Sequence, residues 1–156
     1  MTEIFTDRGF LIMLHGFSGK LVAVAGAAAI CLGGASVAQA RPLDAVSFQD
    51  VATVRCLDSN TAKNVYTNPC DKDNGFQHWQ RVGLNLKDVA TGLCLDSNTA
   101  HQVYTNPCDT NNGFQHWERS GQNLKDSTTG LCLDSNASGA AYTNNCDSNN
   151  RYQQWV

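Results

Sequence analysis

Apolar positions are distributed along the 156 residues in two unlike ways. Between residues 21 and 32 they form one run, Leu21-Val22-Ala23-Val24-Ala25-Gly26-Ala27-Ala28-Ala29-Ile30-Cys31-Leu32. Beyond residue 41 they stand singly or in pairs among Asn, Asp, Ser, Thr, Gln and Gly. Lys20 precedes the run, and small residues ending in Ala38-Gln39-Ala40 follow it. A basic start, an apolar stretch and an A-x-A cleavage site are the parts of a secretory signal, with Arg41-Pro42 opening the mature chain. The run is shorter than the ~20 residues of a membrane-spanning helix. Residues 1–40 are therefore expected to be a signal peptide, with Met13 a more ordinary start than Met1. The mature chain, 41–156, is expected to be secreted and to carry no membrane span.

In that mature part no apolar stripe at helical spacing survives, and turn-forming residues interrupt the chain every few positions. This predicts short strands joined by turns. Leu84-Asn85-Leu86 alternates with the period of a strand, and Asn-Gly at 74–75 and 112–113 and Thr-Gly at 91–92 and 129–130 are turn dipeptides. The pattern also repeats. Cys56-Leu57-Asp58-Ser59-Asn60 recurs at Cys94 and Cys132, Tyr66-Thr67-Asn68 at Tyr104 and Tyr142, and Cys70 at Cys108 and Cys146, each at a step of 38 residues. Gln77-His78-Trp79, Gln115-His116-Trp117 and Gln153-Gln154-Trp155 close the copies, which span about 44–81, 82–119 and 120–156. Three such units predict an all-β fold with pseudo-threefold symmetry. Closure into a ring-like barrel is favoured over a linear solenoid, which three units would leave without polar caps.

Composition narrows the chemistry. A net charge of −3 excludes a strongly basic nucleic-acid binder. Of seven cysteines, removal of Cys31 with the leader leaves six. In an oxidising compartment these read as three disulfides, drawn from fifteen connectivities. The absence of C-x-x-C and of His at ligand spacing argues against zinc. Asp71-Lys72-Asp73-Asn74-Gly75 lacks the spacing and the final Glu of a calcium loop and reads as a solvated turn. His78 and His116 become Gln154 in the third copy, so no histidine role is common to all copies. No Ser-His-Asp or paired-carboxylate arrangement is legible, and neither a cofactor nor a catalytic centre is expected.

Cys-Leu-Asp, a second cysteine and Gln-x-Trp, three times in register, resemble the ricin B-type lectin family of β-trefoils, most closely its short-repeat secreted bacterial members. The resemblance covers the whole mature chain. It implies a β-trefoil, glycan partners, and disulfides Cys56–Cys70, Cys94–Cys108 and Cys132–Cys146. It also implies that the tryptophans are core and that Gln77, Gln115 and Gln153 brace the site. If Cys56 pairs with Cys70 across two antiparallel strands, their Cα atoms, roughly 5.5 Å apart, make them near-opposite neighbours. Asp58 then faces Asn68 and Asn60 faces Tyr66, all on the disulfide's face, while Leu57 and Val65 point to the core.

The candidate carbohydrate-binding residues are thus Asp58, Asn60, Tyr66, Asn68 and Gln77, then Asp96, Asn98, Tyr104, Asn106 and Gln115, then Asp134, Asn136, Tyr142, Asn144 and Gln153. Carboxylate and amides suit vicinal hydroxyls, and a tyrosine face suits the apolar side of a sugar ring. The competing reading is that Asp58 and Asn60 only cap turns. The family's aromatic two before the second cysteine is Asn68, Asn106 or Asn144 here, and its Asn before Gln-x-Trp is Phe76, Phe114 or Tyr152, with Asn74, Asn112 and Asn150 nearby but displaced. A trefoil with lapsed sugar sites that recognises proteins, as an inhibitor, adhesin or toxin subunit, is the alternative function. The third copy replaces Val65/Val103 with Ala141, Pro69/Pro107 with Asn145 and Gly75/Gly113 with Arg151, so its site is expected to differ.

Overall fold

The computed structural model describes residues 45–156; the signal peptide expected over residues 1–40 lies outside the described residues. Strands β1 (Arg55–Ser59) and β2 (Val65–Pro69) form a hairpin. One four-stranded sheet contains β3 (Trp79–Val82), β4 (Asn85–Asp88), β5 (Cys94–Ser97) and β6 (Val103–Asn106) in that order. A second contains β7 (Trp117–Ser120), β8 (Asn123–Asp126), β9 (Cys132–Ser135) and β10 (Ala141–Asn144). Every pairing is antiparallel, and the helical segments among the described residues are single 3-10 turns. The fold is all-β with pseudo-threefold symmetry.

The segment before β1 completes the symmetry. Asp50 bridges to Trp155 as Asp88 pairs with Trp79 and Asp126 with Trp117. Residues 46–50 therefore hold in the first copy the place that β4 and β8 hold in the others. Three serine hydroxyls tie the copies in sequence: Ser59 to Asp88 and Ser97 to Asp126 at 3.0 Å, and Ser135 to Asp50 at 2.6 Å. These aspartates are fully buried, and each also accepts from the backbone and hydroxyl of Thr53, Thr91 or Thr129. A charge can be buried only with such partners.

Trp79, Trp117 and Trp155 have no exposed surface and form one core with Leu57, Leu86, Leu95, Leu124, Leu133 and Phe48. Each indole N–H donates to a strand carbonyl, Leu57, Leu95 or Leu133, at 3.0–3.1 Å. The one polar atom of the ring is thereby satisfied inside an apolar centre.

Three local expectations change. The strand register is offset by two residues: Cys56 faces Asn68 and Asp58 faces Tyr66. Cys70 lies one residue beyond β2, so the disulfide spans a diagonal at a Cα separation of 5.0 Å instead of joining opposed residues. An offset of two preserves which face each side chain takes, because side chains alternate with period two. The Leu84-Asn85-Leu86 alternation does not sort by polarity. Leu84 is exposed in the turn, and Asn85 is buried because its amide donates to Gln115 Oε1 at 3.1 Å. Asn74 and Asn112 cap 3-10 turns, accepting from the N–H two residues on, in place of the two-residue hairpin turns that Asn-Gly favours, and Asn150 caps the third copy's turn likewise.

Candidate functional sites

Each copy gathers a small set of polar side chains around its Cys-Leu-Asp aspartate. In the first, Asp58 Oδ2 accepts from Asn68 Nδ2 at 3.1 Å, Gln77 Nε2 at 3.0 Å and Asn74 Nδ2 at 3.3 Å. Asp96 receives the same three amides from Asn106, Gln115 and Asn112, and Asp134 from Asn144, Gln153 and Asn150. The aspartates are only 2% exposed, so the asparagine amides stand between a fixed carboxylate and solvent while the glutamines are buried.

Gln77 has no free polar atom: its nitrogen also donates to the Pro69 carbonyl, and its oxygen accepts from Asp71 N–H at 2.8 Å. It braces the loop against the carboxylate, as Gln115 and Gln153 do. Asn60, Asn98 and Asn136 lie beyond the strand ends, where their oxygens accept from backbone N–H groups four residues on. That is turn chemistry. Asn74, Asn112 and Asn150 stand outside the residues that the sequence points to, because they are displaced from the position just before Gln-x-Trp. The 3-10 turn swings each back onto its carboxylate.

Tyr66 lies across the strand pair from Asp58, half-buried, with its hydroxyl donating to the Ser59 carbonyl at 3.0 Å. Tyr104 and Tyr142 repeat this with Ser97 and Ser135. The hydroxyl fixes the ring as a wall of the cluster. Burial first, then the adjacent aspartate, pushes all three phenols above their ordinary pKa. Asn60 and Asn98 oppose this at Tyr66 and Tyr104, and Tyr152 adds to it at Tyr142.

The ricin-type beta-trefoil lectin domain matches residues 44–155, over which all three clusters lie. The chain belongs to that family. No curated protein matches it. Similar solved structures share its fold: a GalNAc-T7 determined with UDP, GalNAc and Mn2+ is 24% identical, with a TM-score of 0.62 over 74% of this chain. The chain spans only 22% of the length of that protein. The designed threefold-symmetric ThreeFoil is 20% identical at a TM-score of 0.59, and the C-half of an earthworm R-type lectin in complex with GalNAc is 18% identical at 0.60. Each of these two matches covers 70% of this chain and 94% of the other.

Within this trefoil the three clusters are inequivalent at one atom, the side-chain oxygen of the strand asparagine. No protein group among the described residues donates to Asn68 Oδ1. Asn106 Oδ1 accepts from Lys63 Nζ at 3.3 Å. Asn144 Oδ1 accepts from Asn145 N–H at 2.9 Å, a donor that Pro69 and Pro107 cannot supply. The Asn144 amide then sits 3.5 Å from Asp134, against 3.1 Å in the other copies. Arg151, expected near the third cluster, instead donates to the Val51 carbonyl at 2.9 Å. Asp96 and Asp134 Oδ1 each accept from the following serine N–H.

Proposed function

We propose that this protein is a secreted, multivalent, non-catalytic carbohydrate-binding protein, with Asp58, Asp96 and Asp134 anchoring three glycan sites. The observation that carries this reading is the threefold recurrence of a fixed carboxylate, flanking asparagine amides and a half-buried tyrosine ring on a ricin-type trefoil. Asparagine donors and acceptors match paired sugar hydroxyls, and the ring covers an apolar sugar face. The aspartate acts chiefly by orienting the amides, because Oδ2 already accepts three hydrogen bonds. Site 1 has the most free acceptors, at Asn68 Oδ1 and Asp58 Oδ1. Secretion is supported by the signal-like pattern of residues 1–40 in the sequence and by three disulfides, which persist in oxidising compartments. The likeness to short-repeat secreted bacterial family members agrees with this reading. The earthworm lectin half is in complex with GalNAc, so GalNAc is the first competitor to try.

Protein recognition by a trefoil without working sugar sites is favoured by one observation, the 2% exposure of the three aspartates. A glycan array probed with the purified protein, with free GalNAc and galactose as competitors, separates the two. Binding that weakens in Asn68→Ala and falls further when Asn106→Ala is combined with it supports the carbohydrate reading. No retention on any glycan at high surface density supports the rival.

A further inference from the structure

The loop between the two strands of each hairpin differs among the three copies: Ala62-Lys63-Asn64, Ala100-His101-Gln102 and Ser138-Gly139-Ala140. Residues 63, 101 and 139 all have positive φ, of 69°, 64° and 92°. The carbonyls then dock on the neighbouring copy. Lys63 O accepts from Thr105 N–H at 2.9 Å, His101 O from Thr143 N–H at 3.0 Å and Gly139 O from Thr67 N–H at 2.8 Å. The next residues bridge to the neighbour's tyrosine: Asn64 to Tyr104, Gln102 to Tyr142 and Ala140 to Tyr66. Each cluster is therefore walled by a tip from another copy.

The tips place different chemistry at equivalent points. At the first cluster the wall is Gly139-Ala140 and carries no polar side chain. At the third, His101 Nδ1 donates to the Thr143 carbonyl at 2.8 Å. At the second, the exposed Lys63 ammonium reaches Asn106, the residue whose amide holds Asp96. Lys63 forms no ion pair among the described residues. Asp96 is covered by four donors, three amides on Oδ2 and the Ser97 N–H on Oδ1, so its charge is satisfied beneath the ammonium. The second cluster thus offers an unpaired cation at its rim, with asparagine groups below it.

Resting on the carbohydrate-binding reading, we infer that the second site takes an acidic glycan, with Lys63 of the first copy gripping its carboxylate or sulfate while Asn106, Asn112 and Tyr104 hold the ring. An ammonium donates charge-assisted hydrogen bonds to either anion. Arg55 is the other cation near these walls, at the Gly139 tip. Its side chain leaves β1 on the Leu57 side, opposite to Asp58, and meets the Gly139 tip from there.

The test is an array carrying neutral glycans, each beside counterparts bearing a uronate carboxylate or a sulfate ester. It is probed with the wild-type protein, Lys63→Gln, Lys63→Arg and His101→Lys, all checked for unchanged melting temperature. The wild type should favour an acidic counterpart about fivefold, the size of one solvent-exposed ionic contact. Lys63→Gln should abolish the preference while neutral binding stays, Lys63→Arg should keep it, and His101→Lys should extend it to the third site. The arm that responds, carboxylate or sulfate, names the anion. An acidic preference that survives Lys63→Gln, or neutral binding with no acidic preference, overturns the inference and leaves the carbohydrate reading standing. Absence of binding to every glycan overturns both.

Discussion

Asp88 is fully buried, and its oxygens accept from Thr91 N–H, the Thr91 hydroxyl and the Ser59 hydroxyl at 2.6–3.0 Å. Asp88→Ala strands those donors, each unmade bond costing about 1 kcal/mol or more. Urea unfolding should show a loss of roughly 3 kcal/mol, and a loss below about 1 kcal/mol would mean that the donors find other partners. Asp-x-x-Thr at 50–53, 88–91 and 126–129 is legible as a repeat, but nothing in the sequence says that its serine partner comes from another copy. The tyrosines give a second prediction at this scale. Tyr66, Tyr104 and Tyr142 are raised by burial and then by their aspartates. A phenol with a higher pKa folded than unfolded stabilises the fold below its ordinary value near 10, and this contribution is lost as pH rises through the folded value. Phenolate absorbance should develop at higher pH in the folded protein than in denaturant. Coincident titrations would contradict the buried placement.

At the scale of elements, the cysteine spacing and family resemblance lead to the right disulfides through a register that is wrong by two. Opposed cysteines were the simplest geometry, but the bond closes a diagonal past the end of β2, and no sequence feature distinguishes the two. Parity, and therefore the faces, was legible because core and surface residues alternate. Replacing Cys94 and Cys108 together with alanine removes the crosslink of the β5–β6 hairpin. With a sequence separation of 14 residues, the cost should be about 3 kcal/mol by urea unfolding. No change would place the stability of that hairpin elsewhere. Val54 supplies a prediction of opposite sign. It has φ of 59°, where its counterparts are Gly92 and Gly130 at 71° and 70°, and its side chain is 64% exposed. Left-handed backbone costs a side-chain-bearing residue roughly 1–2 kcal/mol, and a β-branched residue is among the worst placed there. Val54→Gly should raise the melting temperature, although glycine's greater freedom in the unfolded chain offsets part of the gain. A lower melting temperature would show that the valine packs usefully.

For the whole molecule, threefold repetition made the trefoil readable, because three in-register copies need a closed arrangement to bury their tryptophans together. The residues that make the sites unequal were harder to see. Lys63, His101 and Gly139 look like loop filler within their own copies, and acquire a place only when the ring brings each tip to its neighbour. A local change adds to this: Asn145 N–H bonds the neighbouring Asn144 Oδ1, so one lost proline alters the third site. The proposed function puts three inequivalent glycan sites on this ring, at Asn68, Asn106 and Asn144. The most direct measurement follows the side-chain amide resonances of these asparagines while the glycan best retained on the array is titrated into the isotopically labelled protein. All three should shift, along saturation curves with different midpoints. Saturable glycan binding that leaves all three unmoved would contradict it.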